Sequence, residues 1–193
     1  MRCSGARADG MRLVLGVVVL WVCLLPAAAA ATEIRQADSV WQGEDRLLVR
    51  LYLDMELPEV LLEALENGIG IHFLSEVRLE YRRGLFGERP VAQASRRARL
   101  EYYALSRHYV ITDGASRRVD LAPTLGDALE ILARRLGRIA LEVDPEELRP
   151  GAQHQFAARV QLDHGALPLP LQWETRLRGA YVTQPGWYRW SLD

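Results

Sequence analysis

Cysteine is nearly missing and lysine is missing altogether: Cys3 and Cys23 are the only two thiols in 193 residues, and all 24 basic residues are arginine. Both cysteines fall in an N-terminal segment expected to be removed. The remaining chain then has no disulfide, no cysteine-ligated metal and no cysteine nucleophile, and its core alone must hold it together. Against the arginines stand 25 carboxylates, for a formal charge of -1, so nothing favours nucleic acid or a polyanionic surface as the default partner. Neither a G-x-G-x-x-G fingerprint nor a phosphate loop is present, and no serine sits in a G-x-S-x-G elbow. The absence of lysine is read as codon usage rather than mechanism, although arginine forks do make stronger bidentate contacts than ammonium groups would.

Long hydrophobic runs are also scarce, with one exception. Arg12 precedes the apolar block Leu13 to Leu25, Pro26 breaks it, and Ala27 to Ala31 offer small-x-small cleavage sites, which is the pattern of a secretory signal peptide. A helix needs about 20 apolar residues to cross a bilayer comfortably, so the block is expected to be cut near Ala29 to Ala31 rather than kept as an anchor. Cys23 follows Trp21 and Val22 rather than a small residue, which argues against lipidation, and Met11 offers a more compact start than Met1. The expected organisation is a signal peptide over residues 1–31 and a single sheet-rich domain over 32–193.

What is present is alternation. From Ile69 to Arg82, Ile69, Ile71, Phe73, Val77, Leu79 and Tyr81 share one parity and His72, Glu76, Arg78, Glu80 and Arg82 the other, the period of a strand with one dry face. Leu74 and Ser75 alone break it. Ile34 to Trp41 and Arg46 to Asp54 read as a hairpin across the turn at Gly43. Pro58 opens a short helix with Val60, Leu61, Ala64 and Leu65 on one stripe, closed by Asn67 and Gly68. Glu88 to Ser95, containing Pro90, reads as an irregular connection. Strand character resumes near Arg97 and again at His108 to Ile111, with Asp113 and Gly114 signalling a hairpin back through Ser116 to Leu121.

Thr124 and Asp127 echo a capping box ahead of the stripe Leu125, Ala128, Leu129, Leu132 and Leu136, and Gly137 ends that helix. Ile139 to Val143 and Phe156 to Leu162 alternate again, Leu171 to Thr175 is a further pairing candidate, and Gly186 to Leu192 supplies a closing strand. Roughly eight short strands and two helices place the chain in the mainly β class, α+β, as an antiparallel sheet or open β-sandwich with connecting helices.

The candidate chemistry is thin. No two of His72, His108, His154 and His164 stand at the spacing of a compact zinc site, so no metal, no cofactor and no catalytic residue set is assigned. Arg97, Arg99 and Arg107, interleaved with Tyr103 and Tyr109, form the densest basic region. Together with Arg159, Trp187 and Trp190 they are the candidates for binding an anionic head group, a glycan or an acidic partner. The competing reading is a solvent-facing sheet surface whose charges pair across strands with Glu80 and Glu101. A hydrolase or small-ligand protein would need His108, Asp163 and His164 to meet in a pocket.

Several separated stretches also carry a resemblance. Glu66 to Phe73 (ENGIGIHF), Leu100 to Val110 (LEYYALSRHYV), Leu125 to Leu129 (LGDAL), Arg159 to Asp163 (RVQLD), Leu167 to Gln172 (LPLPLQ) and Trp187 to Trp190 (WYRW) resemble, in order, the domain-of-unknown-function 4390 family. That resemblance implies a small exported bacterial protein with no catalytic residue set. It also implies an envelope role linked to signalling, since members tend to be encoded near a sensor histidine kinase and an RNA methyltransferase. The expectation is therefore a non-enzymatic periplasmic interaction or accessory module with an envelope protein partner, a sensor kinase by analogy. No nucleic acid is expected to bind, and membrane contact is expected only through an uncleaved N-terminal segment.

Overall fold

The computed structural model describes residues 32–82, 87–148, 151–168 and 186–192. The expected signal segment, most of the turn beginning at Gly84, the second half of the proline-leucine stretch and the Leu171 to Thr175 pairing lie outside the described residues. Among the described residues nine strands form two antiparallel sheets, with two α-helices between strands. The strands are β1 (Glu33–Trp41), β2 (Arg46–Asp54), β3 (Ile71–Arg82), β4 (Glu88–Tyr103), β5 (His108–Asp113), β6 (Val119–Ala122), β7 (Arg138–Glu142), β8 (His154–Leu162) and β9 (Tyr188–Ser191); the helices are α1 (Glu59–Glu66) and α2 (Leu125–Leu136). A small sheet runs β1-β2-β7 and a large one β6-β5-β4-β3-β8-β9.

The expected long strand is the centre of the large sheet. β3 is hydrogen-bonded along its length to β4 on one side and β8 on the other, and Ile71, Phe73, Val77 and Leu79 on its dry parity are fully buried. Ser75, also fully buried, stands directly opposite Arg96 of β4. A small side chain there leaves room for the arginine stem on the inner face, which accounts for the break in the apolar pattern. The strand starts at Ile71 rather than Ile69 because Ile69 belongs to the end of α1. The Gly68 N–H donates to the Leu65 carbonyl and the Ile69 N–H to the Ala64 carbonyl, each at 2.9 Å, with Gly68 left-handed at φ 78°. This is the paired bonding of a Schellman cap.

The stretch Glu88 to Ser95 is not an irregular connection. It is the first half of β4, paired residue by residue with β3. Pro90 is accommodated because the register slips there: Leu79 faces Ala92 while Glu80 faces Pro90. Val91 is thereby the extra residue of a bulge, the place in a ladder where a missing N–H costs least.

The core lies between the sheets. Leu47, Val49 and Leu51 of β2, Ile139 and Leu141 of β7, Leu61 and Leu65 of α1, Leu132 and Leu136 of α2, and Phe73 and Phe156 of the large sheet are buried in one cluster. α2 is capped as its sequence requires, the Asp127 N–H donating to Thr124 Oγ1 at 3.2 Å. β9 closes the far edge, where Trp190 stacks on Phe156 with ring centroids 4.8 Å apart.

Candidate functional site: an arginine-lined groove

Because β2 buries Leu47, Val49 and Leu51, the period of two turns Arg46, Leu48, Arg50 and Tyr52 to the opposite face of the small sheet. Strand pairing extends that face sideways. Val40, Leu48 and Ala140 form one apolar row across three strands, and Asp38, Arg50 and Arg138 form the next. This face is the floor of a groove of about 930 Å³, walled by Ile131, Arg134 and Arg135 of α2, by Arg118, Asp120 and Leu121 at the start of β6, and by Arg96 of β4. A second hollow of about 240 Å³ shares Leu51, Tyr52 and Arg134 with it and carries it on toward Asp54.

Seven arginines line the groove against one carboxylate, Asp120. Four of the seven are engaged. Arg50 Nε donates to Asp38 at 2.7 Å, Arg134 Nη1 to Glu130 at 2.5 Å, Arg135 Nε to Asp120 at 2.6 Å, and Arg96 Nη2 to Asp113 at 2.5 Å. The guanidinium groups of Arg46, Arg118 and Arg138 make no ion pair or hydrogen bond among the described residues. Setting Asp38, Asp113, Asp120 and Glu130 against the lining arginines, together with Glu142, which stands directly opposite Arg46 on β7, leaves an excess of two positive charges.

Beneath the groove sits a buried ionic cluster that holds its walls together. The Asp113 side chain has no exposed surface. One oxygen accepts the N–H groups of Ala115 and Ser116 at 2.9 and 3.0 Å, and the other accepts Arg96, with Arg135 3.5 Å away. Burial alone would push this carboxyl up; the Ser116 and Ala115 N–H groups and the Arg96 guanidinium more than offset it, so it is held well below the usual carboxylate range. Arg96 also donates to the Arg138 carbonyl at 3.0 Å, which ties β4 of the large sheet to β7 of the small one.

None of the eight residues singled out from the sequence lines this groove. Arg97, Arg99 and Tyr103 alternate along the outer face of β4, where Arg97 lies 3.7 Å from Asp163 and Arg99 2.7 Å from Glu101. Arg107 sits in the β4–β5 turn at φ 53°. Arg159 pairs with Glu76 at 2.6 Å, and its guanidinium and that of Arg78 lie over the Trp187 ring, 4.5 and 4.3 Å from its centroid. Tyr109 faces inward against Tyr102 with centroids 4.9 Å apart, and Trp190 against Phe156. The structure thus brings Arg159 and Trp187 into contact, sets Arg97, Arg99 and Tyr103 along one outer face, and turns Tyr109 and Trp190 away from both groups.

His108 and Asp163 do not meet. Asp163 follows β8 and its N–H donates to the His72 carbonyl, while His108 pairs with Tyr103 on β5. Three strand spacings and four residues part them, roughly 20 Å. Burial and the nearby Arg99 lower the His72 pKa, which favours the neutral form of that ring. Among the described residues no three His, Cys, Asp or Glu side chains are placed to hold a metal ion, and no helix is long and apolar enough to cross a membrane.

The family model described as domain of unknown function (DUF4390) matches residues 29–191. No curated protein and no solved structure matches the chain.

Proposed function

The chain belongs to the DUF4390 family, and from that premise we propose that it is an exported, non-enzymatic interaction module of the cell envelope, working in the periplasm through its arginine-lined groove. The single observation that carries this reading is the groove itself: seven arginines along one elongated hollow, three of them without a partner among the described residues. Surface cations are usually matched by neighbouring carboxylates, as they are on the outer face of the large sheet. An unmatched set on an ordered floor is the feature a partner would use. Export is supported by the apolar block at Leu13 to Leu25 and by a family match that begins at residue 29, inside the window expected for cleavage.

Fractionation and cross-linking test the proposal. The protein is expected in the periplasmic fraction with a new N-terminus near Ala29 to Ala31. In intact cells it is expected to form a cross-linked adduct with an envelope protein, lost in the Arg46→Glu, Arg138→Glu variant. A full-length protein in the cytoplasm, or an adduct indifferent to the double substitution, overturns it.

A further inference from the structure

Resting on the reading of the groove as a binding site, the geometry points to one class of occupant: we infer that it takes an extended acidic segment of a partner protein, laid along β2 with side chains in the order acidic, any, apolar, any, acidic.

The floor sets that order. Arg46, Leu48, Arg50 and Tyr52 face the groove from alternate positions of one strand, so cation, apolar, cation and aromatic follow one another at steps of about 6.7 Å. A second extended chain repeats its side chains at the same step, so its facing positions stay in register with the floor. Its apolar residue falls on the row Val40, Leu48 and Ala140, in which Val40 is 49 % exposed. Its carboxylates fall at Arg46 and at the Arg138 fork beside Arg50. Arg118 then reaches the segment from the opposite wall.

The layout disfavours a compact anion. A phosphate or a lipid head group is held where several donors converge. Here the three uncommitted forks belong to β2, to the loop before β6 and to β7. Arg46 and Arg50 stand about 13 Å apart along one strand. Where two arginines are directly opposed, at Arg50 and Arg138, Asp38 already takes the Arg50 fork. The second hollow lengthens the site further along β2, which suits a chain and adds nothing for a point charge.

Fluorescence anisotropy on the mature protein tests this with a short labelled peptide carrying glutamate, leucine and glutamate at alternate positions separated by serine. A peptide of the same composition in scrambled order, inorganic pyrophosphate and phosphatidylglycerol vesicles are the competitors. The ordered peptide is expected to bind at least about tenfold more tightly than the scrambled one and to weaken as salt rises. The Arg46→Glu, Arg138→Glu variant is expected to lose about tenfold or more, and Leu48→Ser a smaller factor. Because Arg46 and Arg138 are exposed and their guanidinium groups have no ion pair among the described residues, an unchanged melting curve for the double variant shows that the loss is not unfolding. Equal binding of the scrambled peptide, tighter binding of pyrophosphate or vesicles, or displacement of the peptide by self-association overturns the inference. Should the groove-dependent cross-link of the preceding test persist while the ordered peptide fails, the occupant class is wrong and the binding site stands; should both fail, both are wrong.

Discussion

Asp113→Asn is expected to lower the unfolding free energy by about 3–5 kcal/mol, the usual cost of removing one partner from a buried ion cluster. The Asp113 side chain is fully buried and serves two backbone N–H groups and two guanidinium groups at once. Asparagine keeps the shape and one acceptor oxygen but leaves Arg135, itself only 12 % exposed, with Asp120 as its sole counterion. The cost is desolvation of a cation, not loss of volume. Chemical denaturation of both proteins near neutral pH measures it, and a difference under about 1 kcal/mol would mean that the cluster is not what joins the two sheets.

The same substitution has a pH signature whose sign is fixed. The folded-state pKa of Asp113 is depressed, so the carboxylate contributes its stability above the unfolded value, near 4, and loses it as the pH falls through and below that value toward the folded one. The stability gap between the natural protein and Asp113→Asn is therefore expected to stay constant from about pH 7 to about pH 5 and to shrink in more acid solution. A gap that widened in acid would require a raised pKa, contrary to the hydrogen bonds observed.

What the sequence made legible was local. The second helix could be placed because its signals are its own: Thr124 accepts from Asp127, and the stripe Ala128, Leu132 and Leu136 is fully buried. The dry face of β3 was visible because a strand buried on one side must alternate. The first half of β4 was not, because its inward positions are Ala92, Ala94 and Arg96. None of these is a large apolar residue, and Pro90 argued against a ladder until the bulge absorbed it.

The groove was invisible for a different reason. Arg50 and Arg138 become neighbours only through the pairing of β2 with β7, which the chain completes after laying down four of the six strands of the large sheet in between. Likewise Asp113 was legible as a turn residue, which it is, since it caps Ala115 and Ser116. Its charge partners Arg96 and Arg135 arrive from another strand and a helix. The one available signal was the shared parity of Arg46 and Arg50 against the buried leucines. The densest run of arginines lies elsewhere, around Arg97, and there Asp163 and Glu101 stand within ion-pair distance.

Gly137→Ala is expected to be as disruptive as a core truncation, at about 3 kcal/mol or more. In the sequence this glycine reads as the end of a helix, a place where a left-handed backbone is common, yet its backbone is ordinary right-handed helix at φ -79°. Its requirement is space. A Cβ there would stand 2.3 Å from the Leu51 carbonyl oxygen and 2.9 Å from that of Ala133, both backbone atoms that cannot rotate aside. The Leu51 N–H donates to the Gly137 carbonyl at 2.7 Å, so this contact is the seam where the end of α2 turns into β7 against β2. Pushing it apart displaces the strand that carries Arg50 and Tyr52, so binding in the groove is expected to fall along with stability. Gly126 supplies the control within the same helix. An added Cβ there meets nothing nearer than Thr124 Oγ1 at 3.9 Å, and Gly126→Ala is expected to stabilise by roughly 0.5–1 kcal/mol through helix propensity and a less flexible unfolded chain. Opposite signs for one chemical change at two ends of α2, read from thermal melts, would establish that close approach rather than backbone conformation demands glycine at 137; equal signs would refute it.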